Sequence, residues 1–394
     1  SLIVFPVLLS NIIVLMMPVA FGAHTYNVVT LGAKPGGKTD STKAFLTAWA
    51  SACSSTGQAT IYVPKGTYLI GSTITFNGQT CRSSSITIHI DGTLVAPSNY
   101  RKLGSSANWI IFQRTNRLSI YGGTLDAKGS GLWACKASGS HCPSGATSLE
   151  FSNSKNVLVS GLTSLNSQMF HIVINGCNNV KLQALKISAS SNSPNTDGIH
   201  ISSSSGITVV NSKIGTGDDC ISIGPGSTNL WIENIGCGPG HGISIGSLGK
   251  DVKEAGVQNV TVRTATFTGT QNGIRIKTWA KLSNGFVTNV HFQHVTMVGV
   301  QNPVIIDQHY CDGNNNCPNL GSGIKISDVT YEDIHGTSAT VVALNFNCNK
   351  VKPCSGIMLK GVNLIYANSK TVVRSSCSNI RGSASRVVSP RSCL

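Results

Sequence analysis

Three aspartates, one histidine and two cations recur along the chain at spacings that could bring them together: Asp197, Asp218, Asp219, His241, Arg275 and Lys277. Asp197, Asp219 and His241 each stand two positions before the first apolar residue of an I-x-I tripeptide, namely Ile199, Ile221 and Ile243. Related tripeptides begin at Ile172, Ile274 and Val304, where the equivalent earlier position holds Phe170, Asn272 and Asn302. One position after the first apolar residue come Val173, His200, Ser222, Ser244, Arg275 and Ile305. If these tripeptides are strands stacked about 4.8 Å apart, Asp197, Asp219 and His241 form one column with Asp218 beside it. Arg275 and Lys277 then face outward, because Ile274 and Ile276 alternate with them and take the core side.

Crowded carboxyls raise one another's pKa, so one can stay protonated as a general acid while another stays ionised as a base. Glycoside hydrolysis needs that division: an acid on the leaving oxygen and a carboxylate on the opposite face of the sugar. Arg275 and Lys277 offer fixed positive charge to an anionic group on the substrate. Taken singly, each Asp reads as a turn residue, and TDG and GDD are turn-like. A column of three with a histidine and two cations is more than turn chemistry requires. A divalent-metal site is the rival use of such ligands, but the adjacent Arg and Lys oppose it. No metal or other cofactor is expected.

The elements that must carry these residues are short strands. Charged residues are 11% and hydrophobic residues 40%, with 42 Gly, a composition that excludes a coiled coil or a disordered charged tail. A pattern of Asn or Gly, alternating β-branched residues and a turn recurs as KNVLV from Lys155, TNLWI from Thr228, QNVTV from Gln258 and TNVHF from Thr288. The first apolar residues of the I-x-I strands, Ile172, Ile199, Ile221, Ile243, Ile274 and Val304, follow at steps of 27, 22, 22, 31 and 30 residues. Periods in that range mean stacked coils rather than separate domains, and no intervening stretch is long enough for crossover helices. An all-β parallel β-helix, or solenoid, follows. Its open apolar end needs a cap. The segment after Asp40, with Asp40 as N-cap and Phe45, Leu46, Trp49 and Cys53 on one face, is expected to supply a short N-terminal capping helix.

Residues 1–21 are nearly all apolar and carry no charge, and Ala20-Phe21-Gly22 places small residues at spacing two. A secretory signal peptide over residues 1–22, truncated at its start, is expected, with the catalytic β-helix over residues 23–394. An uncleaved anchor is the alternative, weakened by Pro6, Asn11 and Pro18. The 13 cysteines contain no CxxC. Close pairs are Cys135 with Cys142, Cys220 with Cys237, Cys311 with Cys317, Cys348 with Cys354, and Cys377 with Cys393. Cys53 with Cys81 makes a sixth and leaves Cys177 as a buried thiol. Small disulfide loops in an oxidising compartment are the default reading; spacing alone leaves connectivity open. Asn259-Val260-Thr261 is the lone glycosylation acceptor sequence. The net charge of +15 favours a polyanionic partner. Basic residues form no run interleaved with aromatics, so a nucleic-acid arm is not expected. An acidic polysaccharide fits best.

The words SPNTDGIH from Ser193, GTGDDC from Gly215, CGPGHGISIGSLG from Cys237 and RIKTW from Arg275 resemble, in order and spacing, the plant polygalacturonases. The resemblance runs from about Tyr26 to the C-terminal cysteines. YLIGS at Tyr68, SIGSLGK at Ser244 and VIIDQHYC at Val304 are most similar to the pollen-type exopolygalacturonases. It implies a single-stranded right-handed parallel β-helix that hydrolyses α-1,4-linked galacturonan with inversion, outside the cell in the wall, as a monomer and free of the membrane. It implies Asp218 as general acid, Asp197 and Asp219 holding and activating water, and His241 keeping the acid's proton in place. Arg275, Lys277 and Tyr310 would bind the sugar. His200, where many fungal relatives carry Asp, would be a subsite residue or a plain surface one. Exo attack from the non-reducing end is favoured, with endo attack as the alternative. Pectate lyases and pectin methylesterases lack this motif order, and a non-enzymatic wall-binding protein would not need the acid/base set.

Overall fold

The computed structural model describes residues 24–312, 317–318, 320–368 and 371–394. The leader expected over residues 1–22 lies outside the described residues. Among these, every strand pair is parallel, and the strands form two long sheets of 16 and 11 strands. The smaller sheet is the stack of I-x-I strands. Ile172, Ile199, Ile221, Ile243, Ile274 and Val304 pair in direct register, coil upon coil. All six are fully buried. β-Branched side chains fit this pleated surface with one preferred rotamer, which is why the columns are so uniform. At the N-terminal end aromatics replace them: Phe76, Phe112 and Phe151 stack with ring centroids 4.8 and 5.5 Å apart.

The coils turn on residues in the left-handed region. Asn156, Asn179, Asn229, Asn259 and Asn289 have φ of 54°, 56°, 57°, 56° and 52°. Asn is among the few L-residues that accept this conformation, since its short amide can hydrogen-bond locally. Here the amides form a ladder between coils: Asn289 Nδ2 donates to Asn259 Oδ1 (2.7 Å), and Asn259 Nδ2 to Asn229 Oδ1 (3.0 Å). The glycosylation acceptor Asn259 is thus a rung of this ladder, with both ends of its amide engaged.

The capping helix spans Thr42–Ser54. Its first turn differs from expectation. Ser41 holds the N-cap position without a side-chain cap, and Asp40, one residue earlier, accepts the Thr42 backbone N–H at 2.9 Å. Leu46 is 41% exposed, not part of the apolar face. Ala48 and Ala52 take that place beside Phe45 and Trp49, because small residues let the helix sit close to the coil beneath it. Trp49 meets Phe76 and Phe112 at 5.2 and 5.7 Å and donates its indole N–H to Asn77 O. Two further helices, Arg101–Gly104 and Ser130–Ala137, were not legible, since four and eight residues hold too few turns to show an apolar stripe.

Disulfides join Cys53–Cys81, Cys135–Cys142, Cys220–Cys237, Cys311–Cys317, Cys348–Cys354 and Cys377–Cys393. Cys177 is a buried thiol, and burial pushes its pKa up to about 11. Such a thiol is a small core residue and not a nucleophile.

The ladder yields a stability test. Asn229→Ala removes a rung and forces a Cβ-bearing residue without an amide into the left-handed region, at a cost of about 2 kcal/mol. Asn229→Gly loses the same rung but not the backbone fit, so it should cost roughly half as much. Chemical denaturation of both variants measures the order; an Ala variant as stable as the Gly variant contradicts it.

Candidate active site

Asp197, Asp218 with Asp219, and His241 lie on three successive turns that lead into the strands Ile199–Ser202, Ile221–Ile223 and Ile243–Leu248. Backbone hydrogen bonds stack these turns. Gly198 N–H donates to Asp219 O (2.9 Å), Cys220 N–H to Gly242 O (2.8 Å) and His241 N–H to Asp218 O (2.8 Å). Gly242 has φ +91°, and a Cβ there would collide with the Asn272 carbonyl. The glycine after His241 is therefore what lets this turn approach the next coil. The Cys220–Cys237 disulfide ties the middle turn to the end of the strand Thr228–Cys237 that follows it.

The three carboxyls occupy different environments. Asp219 is 1% exposed and carries the densest set of partners. Its Oδ1 accepts from Ser244 Oγ (2.8 Å) and Arg275 Nη2 (2.8 Å), and its Oδ2 from Lys277 Nζ (3.0 Å). Burial opposes its ionisation, but Lys277, Arg275 and these hydrogen bonds overcome it and hold the carboxyl below the ordinary value of 3.8. Asp197 is also buried, without a cation bonded to it. Burial first, then repulsion from Asp218 and Asp219, pushes its pKa well above 3.8. Asp218 is the most open, with 18% of its side chain exposed. Its Oδ1 faces His241 Nδ1 at 3.1 Å and accepts the Asp219 backbone N–H at 2.8 Å.

One expectation is corrected here. Arg275 and Lys277 do project from the outer face, but they are not free at the surface: their side chains are 11% and 10% exposed and both clamp Asp219. The carboxyl that crowding raises is Asp197, because it is the one buried without a cation.

Tyr310 lies against this clamp, with Lys277 Nζ 5.0 Å from its ring centroid, and meets Trp279 edge-on at 5.5 Å. His200 is packed into the wall: its ring stacks on Phe170 (5.1 Å) and its Nδ1 pairs with Ser222 Oγ at 2.8 Å. Burial brings its pKa down to about 4, so the imidazole is neutral near neutral pH. All eight of these residues line one open cleft of about 630 Å³. Sequence reasoning assigned no role to Phe170, Ser222, Ser244 or Gln271. Phe170, Ser222 and Ser244 stand in the very columns that hold the acids and Arg275, which was the available signal; Gln271 sits on a turn with no such alignment.

Asp218, Asp219 and His241 also bring one ligand atom each within 4.8 Å of one another. Both Asp219 oxygens are already bonded to cations, so a divalent ion would have to displace a buried ion pair. The donor set fits a metal poorly.

The model of the glycosyl hydrolases family 28 matches residues 53–393. The chain belongs to glycosyl hydrolase family 28. It is 60% identical over 388 residues to a polygalacturonase of Prunus persica, covering 98% of each chain. It is 42% identical to an exopolygalacturonase of Platanus acerifolia, over 90% of this chain and 94% of that one. Among solved structures, the endo-xylogalacturonan hydrolase of Aspergillus tubingensis superposes with a TM-score of 0.78 at 25% identity, covering 93% of this chain and 100% of that one. The Thermotoga maritima exopolygalacturonase does so at 0.72 and 18% identity, over 93% and 91% of the two chains. The fold is the right-handed parallel β-helix of this family.

The contrast between the two buried aspartates is measurable without substrate. Asp219→Asn leaves Arg275 and Lys277 without an anion, and breaking a buried pair costs about 3–5 kcal/mol. Asp219 has a depressed folded pKa, so its contribution is present above the unfolded value and lost as pH falls through the folded one. Asp197→Asn should do the reverse. Its folded pKa is raised, so the ionised carboxyl is a burden that grows as pH rises above about 3.8. The Asn variant should therefore melt higher than the parent at pH 7 and lose that advantage at pH 3. Thermal melts at both pH values decide, and an Asp197→Asn variant that melts lower at pH 7 contradicts the assignment.

Proposed function

We propose that this chain hydrolyses α-1,4-galacturonosyl linkages of polygalacturonan, with inversion at the anomeric carbon and by exo attack from the non-reducing end. The observation that carries this reading is the division of three clustered aspartates in one cleft of a family 28 chain. One is clamped as an anion, one is buried without a cation, and one is open to the cleft beside a histidine. The similarity to polygalacturonases along nearly the whole chain supports the substrate.

The division of labour follows from the environments. Asp218, the most exposed, can reach the glycosidic oxygen and give it a proton, with His241 Nδ1 at its Oδ1 to hold the acid in place. Asp197 has an increased proton affinity and is the stronger base, suited to take a proton from water. Asp219 is held ionised by two cations and is a weak base. Its role is to orient that water and to fix Arg275 and Lys277. Two cations against one anion leave a net positive charge in the clamp, which can meet the carboxylate of a galacturonate unit. Tyr310, whose ring covers Lys277, packs against that sugar. The overall charge of +15 draws the polyanion in.

Exo attack is supported by the 42% and 38% identity to exopolygalacturonases of Oenothera organensis and Zea mays. Endo attack is the second reading, because the 60% identical Prunus persica relative is named simply a polygalacturonase. The protein acts as a secreted monomer in the cell wall, with residues 23–394 as one catalytic domain and the preceding segment removed as a signal peptide. Six disulfides accord with an oxidising compartment.

Four measurements test this reading. Digestion of a defined galacturonate oligomer should release monomer alone from the start; a ladder of intermediate oligomers means endo attack. Proton NMR of the first product should show the β-anomer, the outcome of inversion at an α-linkage, and an α-anomer appearing first excludes the water-activating pair. Asp218→Asn should fold normally yet lose about 10²- to 10⁴-fold in turnover, since an amide cannot deliver the proton. Activity within threefold of the parent removes Asp218 as the acid. Lys277→Ala should lower substrate binding and turnover together by roughly 10- to 100-fold, and full activity on polygalacturonate would remove Lys277 from the site.

A further inference from the structure

The cleft has a second rim, whose side chains none of the roles above uses. The turns that carry Asp197, Asp218, Asp219 and His241 enter the floor strands at one edge. At the other edge these strands leave for the larger sheet. The connectors there are residues 176–177 and 203–204, then 224–227, 249–256 and 280–285. Two residues suffice to close a coil, so the longer connectors beside Asp219, His241 and Arg275 are not required by the fold. Extra loop length on a rigid scaffold is where binding groups are commonly placed.

The connector 249–256 is held in one shape. Glu254 Oε1 accepts the Gly249 backbone N–H (2.7 Å), and its Oε2 accepts those of Lys250 (3.0 Å) and Asp251 (3.3 Å). Three consecutive N–H groups around one carboxylate make an anion nest, and Gly249, at φ +80°, supplies its left-handed residue. The connector is also tied to both neighbours. Gly226 N–H donates to Gly256 O (3.1 Å), Glu254 N–H to Asn284 Oδ1 (3.0 Å) and Asn284 N–H to Val252 O (3.0 Å). Lys250, Asp251 and Glu254 line the same cleft as Asp218 and Arg275. Lys250 is exposed, and among the described residues its side chain has no ion pair or hydrogen bond. Arg275 and Lys277, by contrast, are committed to Asp219.

We propose that Lys250 is a substrate-binding residue that meets the carboxylate of a galacturonate unit at this rim, and that Glu254 is the positioning residue that holds it there. This rests on the reading of the substrate as galacturonan. Glu254 bonds the backbone N–H of Lys250 itself, so it fixes the point from which the lysine side chain starts. A lysine on a loose connector would have to order that connector each time substrate bound. Asp251, the next residue, carries the substrate's own sign and lines the same cleft. The charge of the rim is therefore mixed, and the shape of the connector decides which charge the sugar meets.

The test is kcat and KM on a defined galacturonate oligomer, with a melting curve for each variant. Lys250→Gln should raise KM about 5- to 10-fold, the low end for a charge-assisted bond because the residue is exposed. Its kcat should stay within about twofold of the parent, since Lys250 stands across the cleft from the acid. Lys250→Arg should restore KM. Raising the ionic strength from about 0.05 to 0.5 M should narrow the gap between parent and Lys250→Gln, because exposed charges are screened. Glu254→Ala keeps the lysine yet should raise KM about 3- to 5-fold. Added to Lys250→Gln it should change KM no further, the coupling expected when one residue acts through another. Asp251→Asn alters the same connector and should not raise KM. An unchanged KM in Lys250→Gln, a gap insensitive to salt, or a Glu254→Ala variant that melts lower with KM unmoved overturns the proposal. So does a KM in Asp251→Asn raised as far as in Lys250→Gln, because any disturbance of the rim would then suffice. If the parent itself releases nothing from the oligomer, the substrate reading fails and this proposal fails with it; if the parent is active and Lys250→Gln matches it, this proposal alone fails.

Discussion

Every feature of this molecule depends on strands of successive coils pairing in register at one spacing of about 4.8 Å. The register is enforced by the core. Ile172, Ile199, Ile221, Ile243 and Ile274 stack as fully buried neighbours. A slip of one residue would drive Arg275 and Lys277 inward and turn Ile274 and Ile276 out to water. The same constraint builds the cleft. Because the apolar residues must align, the residues one position after them and two before them align as well. A turn acid, a serine and an arginine from three different coils are therefore brought within hydrogen-bonding distance without any irregular loop. Insertions between coils, such as the segment with the helix Ser130–Ala137, leave this alignment untouched.

Chemically similar groups at aligned positions nevertheless end up with opposite proton affinities. Asp197 and Asp219 sit two residues before paired isoleucines, both are buried, and both lie beside Asp218. They differ in what lies further along the stack. Asp219 meets Ser244, Arg275 and Lys277, contributed by the next two coils, and a buried carboxylate with two cations and a hydroxyl is stable as an anion. Asp197 has no bonded cation, and the corresponding outward groups of its own and the next coil, His200 and Ser222, are uncharged. The position of a coil along the solenoid axis thus sets the pKa of its aspartate. The buried pair is costly to form, and the core columns on either side of it supply the stability that tolerates such a site.

The cleft wall beside Asp197 is built by the same logic from neutral groups. Phe170, His200 and Ser222 come from three neighbouring coils, and burial keeps the imidazole uncharged. An imidazolium there would add a third cation to Arg275 and Lys277 and weaken the contrast between the two aspartates. Neutral polar groups on one side and cations on the other keep the cleft asymmetric across its width.

Much of this was legible in the residues themselves. The period-two alternation and the I-x-I steps are local consequences of strand geometry, so the solenoid, its core columns and the grouping of Asp197, Asp218, Asp219, His241, Arg275 and Lys277 follow from spacing. The left-handed turns also announce themselves, since Asn and Gly are the residues that accept positive φ. Direction, burial and partner choice are not local. Sequence places Arg275 and Lys277 on the outer face but cannot say that neighbouring turns cover them, or that both are spent on Asp219. It shows that three carboxyls crowd together but not that Asp197 is the one without a cation, because that depends on which coil lies above it. Leu46 reads as core by helical periodicity and is exposed, since the end of a solenoid is narrow and seats one face of three alanines and two aromatics. Alignment along the stack is written in the chain; what each aligned side chain touches is decided only when the coils close over one another and water is excluded.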